Sequence, residues 1–194
     1  YQHMVAQLLF VSTRVRRDIQ TAVAFLTTRV NAPDEDDWGK LKRVLKYIKG
    51  TIGLQLILKA NSLSVIKWWV DAAFAIHHDY RVHTGAIMSF GEGAVINKSL
   101  KQKMNGKSST DNELIGADEL IGPIMQTLYF MKAQGYHVEE NVLNQDNHST
   151  MRLIVNGRAS SKCTRHLDIK IFYMKDVIDR GDLLIKYCPT DGMW

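Results

Sequence analysis

The stretch Ile66-Lys67-Trp68-Trp69-Val70-Asp71-Ala72-Ala73-Phe74-Ala75 constrains the fold more than any other part of the chain. Its apolar, β-prone residues run straight into a carboxylate and then into small side chains. That is the pattern of a buried strand delivering Asp71 to the edge or surface of a sheet. An acid in this position more often forms a turn or caps a helix than binds a metal. Two further acids stand in comparable settings: Glu113 early in a predicted helix, and Asp146 at the end of another apolar strand. Carboxylates converging from two strands and a helix would make a divalent-metal site, because a hard cation such as Mg2+ takes oxygen ligands.

At 194 residues the chain can build one good core, or one domain with an appended helical piece. A net charge of +5 suits a polyanionic partner, but it is also common in basic proteins that bind nothing of the kind. Cys163 and Cys188 are the only cysteines and have no partners at a zinc-site spacing, so reduced thiols in an intracellular protein are expected. No apolar run approaches the roughly 20 residues that span a bilayer, and the N-terminus lacks the layout of a signal peptide. No membrane partner is expected. A start at Tyr1 without Met and a stop at Trp194 read as a segment of something longer.

Residues 1–50 read as helical. Val11-Ser12-Thr13 offers a hydroxyl cap to an amphipathic run carrying Ile19, Val23, Leu26 and Val30, which Asn31-Ala32-Pro33 ends. Asp34-Glu35-Asp36-Asp37 packs negative charge into the first turn of the next helix, where the dipole favours it. That helix has Trp38, Leu41, Val44, Leu45 and Ile48 on one face and lysines or arginine elsewhere, with Gly50 as its stop. The basic face suits a phosphate backbone or plain solvent equally.

From Thr51 the period becomes extended. Leu54 to Leu58 reads as a strand, Ala60-Asn61-Ser62 as a turn, and Ser64 to Asp71 as the strand above, followed by a surface loop with His77, His78 and Asp79. Thr84 to Phe90 and Ala94 to Lys98 form a hairpin about Gly91-Glu92-Gly93, so antiparallel pairing is expected here. The loop from Asn97 to Lys107 gathers Lys98, Lys101, Lys103 and Lys107 with no acid. These are candidate nucleic-acid contacts of the salt-dependent, sequence-independent kind, or a solvated lysine loop. Ser108-Ser109-Thr110 caps a helix through about Gln134 that Pro123 should kink or split. A strand then ends at Asp146 and a helix opens at Asn147, a junction type that often carries functional residues. A polar loop to Lys162, a helix from Thr164 to Asp179 and a strand from Leu183 to Cys188 follow. The organisational boundary lies between Gly50 and Ser64, giving a helical segment over 1–50 and an α/β unit over 51–194.

These residues resemble a known family. Trp68 to Ala75, His83-Thr84-Gly85, Lys98 to Lys103, Ser108-Ser109-Thr110-Asp111-Asn112-Glu113-Leu114, Gln145-Asp146-Asn147 and Thr164-Arg165-His166-Leu167-Asp168-Ile169 are similar, in order and spacing, to the ribonuclease H region of copia-type retrotransposon polyproteins. Residues 1–50, with Arg17-Asp18-Ile19 and the run from Leu41 to Thr51, resemble the segment joining reverse transcriptase to that region. The resemblance implies an α/β, ribonuclease H-like fold: a mixed five-stranded sheet flanked by helices and preceded by a helical segment. It implies hydrolysis of the RNA strand of RNA-DNA hybrids with two Mg2+ (or Mn2+) ions, and the reverse transcriptase part of the same polyprotein as a partner. The expected setting is the cytoplasm, in a virus-like particle, or the nucleus.

Carried over by position, Asp71 would bridge both metals, while Glu113 and Asp146 would each help hold one. Asp111 stands where the family often has an acid and is not expected to ligate. A fourth family carboxylate belongs to an Ala-Asp pair that should follow Cys188-Pro189-Thr190, and Asp191 lies upstream of that position. Truncation there would weaken the second metal and the rate. Arg17 in place of the usual Pro, and the acid-poor stretch from His148 to Val155, are further departures. An inactive nucleic-acid-binding or structural remnant is the alternative expectation.

Overall fold

The structure, a computed structural model, describes residues 1–73, 76–77, 79–157 and 167–193. The chain opens with three helices, α1 (Gln2–Arg14), α2 (Gln20–Thr27) and α3 (Glu35–Gly50). Strands β1 (Lys59–Ala60), β2 (Val65–Ala73), β3 (His83–Ser89), β4 (Gly91–Glu92) and β5 (Ile96–Lys101) follow. Then come α4 (Ser109–Ala133), β6 (Glu140–Gln145), α5 (His148–Asn156), α6 (Asp168–Asp179) and β7 (Leu184–Tyr187). The main sheet has the order β5-β3-β2-β6-β7, while β1 and β4 pair separately. β2, β3 and β5 are antiparallel neighbours, as their short connections dictate; β6 and β7 lie parallel to β2 after helical crossovers. This is the expected mixed five-stranded sheet flanked by helices.

Alternation along β2 sets which face is covered. Ile66, Trp68 and Val70 turn into one core with Leu143 of β6, Leu114 and Ile115 of α4, and Ile171 of α6. Helix α4 lies close to the sheet at Gly116, where an added Cβ would come within 3.2 Å of Thr84 and 3.5 Å of Val70. One turn earlier on the same helix is Glu113. Helices α1 to α3 share a second core, built around Val5, Ile19, Val23 and Leu41. They meet the sheet where the Gln20 side chain donates to the Asn97 carbonyl (3.0 Å) and the Asn97 amide donates to the Arg17 carbonyl (3.3 Å).

Several local expectations are corrected. Ser12 and Thr13 do not open a helix but close one: both hydroxyls donate back to the Leu9 carbonyl (2.9 and 3.0 Å) in the last turn of α1. The chain then breaks at Arg16, whose guanidinium holds Asp18 (2.7 Å) and the Thr51 hydroxyl (2.6 Å), tying the break to the end of α3. The acidic start of α3 is a reciprocal capping box between Asp34 and Asp37. Gly50 is the last helical residue rather than a left-handed stop; Thr51 is the cap. Leu54 to Leu58 forms no strand, because no neighbouring strand accepts it; Ile57 stays 65% exposed. Helix α4 runs unsplit through Pro123, held by buried Leu120, Ile121, Ile124 and Met125 around it. Helix α6 is described from Asp168; Thr164, Arg165, His166 and Cys163 lie outside the described residues.

Candidate metal centre

Asp71 is the exposed residue between buried Val70 and Ala72 near the end of β2. Pairing of β2 with β6 ends at Trp69 and Asn144. Beyond that pair the two strands part, and the Ala72 N–H donates to a Glu113 carboxylate oxygen (3.0 Å). The other Glu113 oxygen accepts from the Gln145 side chain (3.2 Å). Gln145, fully buried, also accepts the N–H groups of Asp146 (2.8 Å) and Asn147 (3.2 Å) through its carbonyl oxygen. It therefore fixes the turn that presents Asp146 just past β6. From the far side, the Thr190 hydroxyl donates to Asp146 (3.2 Å). The His148 ring stacks on Tyr187 at 4.0 Å and pins the start of α5 beside this turn.

The structure thereby brings Asp71, Glu113 and Asp146 together: one carboxylate oxygen from each lies within 4.8 Å of the other two. Glu113 is 5% exposed, and its acid is pushed up to about 8 by burial, with the neighbouring Asp71 and Asp146 charges adding to the rise. Acids this close resist being ionised together, and a divalent cation among them would favour the fully ionised set. An all-oxygen donor set with one side open fits a hard cation such as Mg2+ or Mn2+. Asp111 stands apart from this group. It is buried at the start of α4, where its carboxylate accepts the Lys107 N–H (3.0 Å).

Gln145 and Thr190 were not singled out by sequence reasoning. The available signal for Gln145 was a polar side chain ending an apolar strand next to an acid. The lysines do not form one surface. Lys98 and Lys101 belong to β5 rather than to a loop, and three residues of spacing on a strand sends them to opposite faces of the sheet. Lys101 is held by Asp79 at 2.7 Å, whereas Lys103 and Lys107 are exposed in the following loop.

The histidine loop is also not a surface loop throughout. His77 is 8% exposed, and its ring nitrogen meets that of His83 at 3.1 Å; the other His83 nitrogen meets the Ser99 hydroxyl at 2.6 Å. His78 lies outside the described residues. His83 has its pKa lowered to about 4 by burial, with the His77 charge adding to the effect. The unfolded chain therefore takes up a proton at this site near pH 6.5 that the folded chain refuses until about pH 4. This stability is complete above pH 6.5 and is lost as pH falls through that window, by roughly 2–3 kcal/mol. Urea midpoints measured from pH 7 to pH 4 should fall more steeply in the parent than in His83→Gln.

No family model matches the chain. Among curated proteins it is similar to the retrovirus-related Pol polyprotein from transposon TNT 1-94 of Nicotiana tabacum, 27% identical over 192 residues, which are 98% of this chain and 14% of that protein. It is likewise similar to the retrovirus-related Pol polyprotein from transposon RE2 of Arabidopsis thaliana, 26% identical over 192 residues, 98% of this chain and 13% of that protein. The chain thus spans about one seventh of the length of these relatives. Among solved structures it is similar to LC11-RNase H1, isolated from compost by a metagenomic approach. There the identity is 14% and the TM-score 0.48, covering 66% of this chain and 87% of that one. Along nearly all of its own length the chain is similar to retrovirus-related Pol polyproteins of plant transposons, and its mixed five-stranded sheet brings together acids from β2, α4 and the end of β6.

Proposed function

We propose that the chain is the ribonuclease H part of a retrotransposon Pol polyprotein, with residues 1–50 as the connection from reverse transcriptase, and that it hydrolyses the RNA strand of RNA-DNA hybrids. The observation that carries this reading is the convergence of Asp71, Glu113 and Asp146 to within 4.8 Å from a strand, a helix and a strand end. Divalent ions held by these carboxylates would supply an activated water and charge neutralisation at the phosphodiester. The chain's own part is to hold that donor set in place. The Ala72 N–H and Gln145 orient Glu113, and Gln145 and Thr190 orient Asp146. Asp71, exposed at the mouth, faces the incoming strand. Lys103 and Lys107, exposed next to the start of α4, are assigned to phosphate contacts, which read the shape of a hybrid more than its sequence.

The test is an RNA-DNA hybrid labelled on one strand at a time and incubated with Mg2+ or Mn2+. The expected result is cleavage of the RNA strand alone, stopped by EDTA. A hybrid that is bound and left intact with both ions would replace this reading with that of an inactive binding remnant.

A further inference from the structure

A cleft of about 530 Å³ opens between α2, α3, the loop after β2 and the end of β5. It is outside the acid cluster. Buried Leu26 and Val44 form its apolar floor, and Phe25 and Ile76 contribute to its sides. Arg29, Lys40, Arg43 and Lys101 also line it, with the acids Asp37 and Asp79 among the described residues. Both acids are already engaged: Asp37 by Arg29 at 2.9 Å, and Asp79 by Lys101 at 2.7 Å and Arg81 at 3.4 Å. Lys40 is paired with Asp36 (2.6 Å), and Arg43 has no ion pair among the described residues. With Asp34 also on Arg29 at 3.2 Å, every lining cation but Arg43 is ion-paired, which leaves the cleft one uncommitted guanidinium among the described residues.

Its aromatic wall is a cluster of three rings. The Phe25 ring stacks on His77 (4.7 Å, 27°) and on His83 (4.8 Å, 15°), and these two imidazoles are only 5.3 Å apart. Rings that near each other cannot sandwich Phe25, so they share one of its faces. The half-buried Phe25 lines the cleft together with His77, so this ring cluster offers aromatic surface to a ligand. A flat aromatic platform beside an unpaired guanidinium matches a nucleobase and its phosphate: bases of every identity stack on aromatic rings, and guanidinium binds phosphate oxygens in a fork.

We propose that this cleft is a nucleotide-binding site, with the base on Phe25 and the phosphate on Arg43. The nucleotide comes either from the free pool or from an unpaired nucleotide flanking a hybrid, and the second source rests on the function proposed above. Position favours the strand. Lys101, His83 and Ala73 are register partners across β5, β3 and β2, so Lys101 at the edge of the cleft lies at the same end of the sheet as Asp71, two strands from it.

The experiment uses the chain carrying Asp71→Asn, in EDTA, so that cleavage plays no part. Binding is measured by fluorescence anisotropy for a labelled blunt hybrid and for the same hybrid with a three-nucleotide single-stranded DNA extension at either end, and AMP is titrated separately by ligand-observed NMR. Expected for the strand source is roughly tenfold tighter binding of one extended hybrid, as one stacked base supplies, with the gain removed by Phe25→Leu and by Arg43→Glu. Saturable AMP binding lost in the same two variants would support the site with the free nucleotide as its source. Folding of each variant is verified by circular dichroism. Equal binding of blunt and extended hybrids together with no AMP binding would overturn the proposal, as would gains that survive both substitutions. Failure of the parent chain to cut a blunt hybrid would count against the proposed function alone.

Discussion

Replacing Asp71 with Asn is expected to lower metal-dependent cleavage of an RNA-DNA hybrid by more than about a hundredfold, since changes to residues that merely orient ligands already cost about 10- to 100-fold. The fold should survive. Asp71 is exposed and the amide is isosteric, so no buried group is left unpaired. Without metal the variant should in fact melt slightly above the parent, because one of the two charges that oppose ionisation of buried Glu113 is gone. With Mg2+ present the order should reverse, because binding to the folded chain alone stabilises it. This crossing of melting temperatures separates a metal-binding acid from one that caps a turn. A structural Asp71 would give a lower melting temperature under both conditions and no dependence on the ion.

Trp68→Ala carries the largest expected loss of stability. Its side chain is 1% exposed at the centre of the sheet, and its indole N–H donates to the Asn141 side-chain oxygen at 3.2 Å. Truncation removes a large buried ring, a change that costs about 3–5 kcal/mol, and also leaves Asn141 short of a donor. Against a total stability of about 5–15 kcal/mol, the variant should be largely unfolded at modest urea. Trp68→Phe keeps most of the volume and loses only the hydrogen bond, so its cost should be about 1–3 kcal/mol. Chemical denaturation of both variants checks the ranking. Equal losses would mean that the hydrogen bond to Asn141, rather than packing, holds β2 to β6.

Where the sequence was readable, local and global demands agreed. The run from Ile66 to Val70 has no stable place except a buried strand, and Asp71 follows it directly, so the acid's position at a strand end could be seen without coordinates. Asp34 and Asp37 gave the start of α3, and Asn147 the start of α5, because capping is a local interaction. Readings failed where a distant partner decided. Leu54 to Leu58 has strand composition, but the neighbour that would pair with it is absent among the described residues. Ser12 and Thr13 have the chemistry of caps, yet their hydroxyls are taken by carbonyls of the preceding turn. His77 looked like a surface residue until Phe25, fifty-two positions earlier, closed over it. Gln145 stands out in the sequence only as a polar residue ending an apolar strand beside an acid; its role could not be read there, because that role exists only once α4 has brought Glu113 to the end of β6.

The most direct check on the central claim is a titration with Mn2+ followed by the electron paramagnetic resonance signal of the free ion, on the parent chain, Asp71→Asn and Glu113→Gln. If the three carboxylates form a divalent-metal centre, the parent will take up Mn2+ saturably and each substitution will sharply weaken that uptake. Equal uptake by all three chains would contradict the account, because Mn2+ would then be binding somewhere other than Asp71, Glu113 and Asp146.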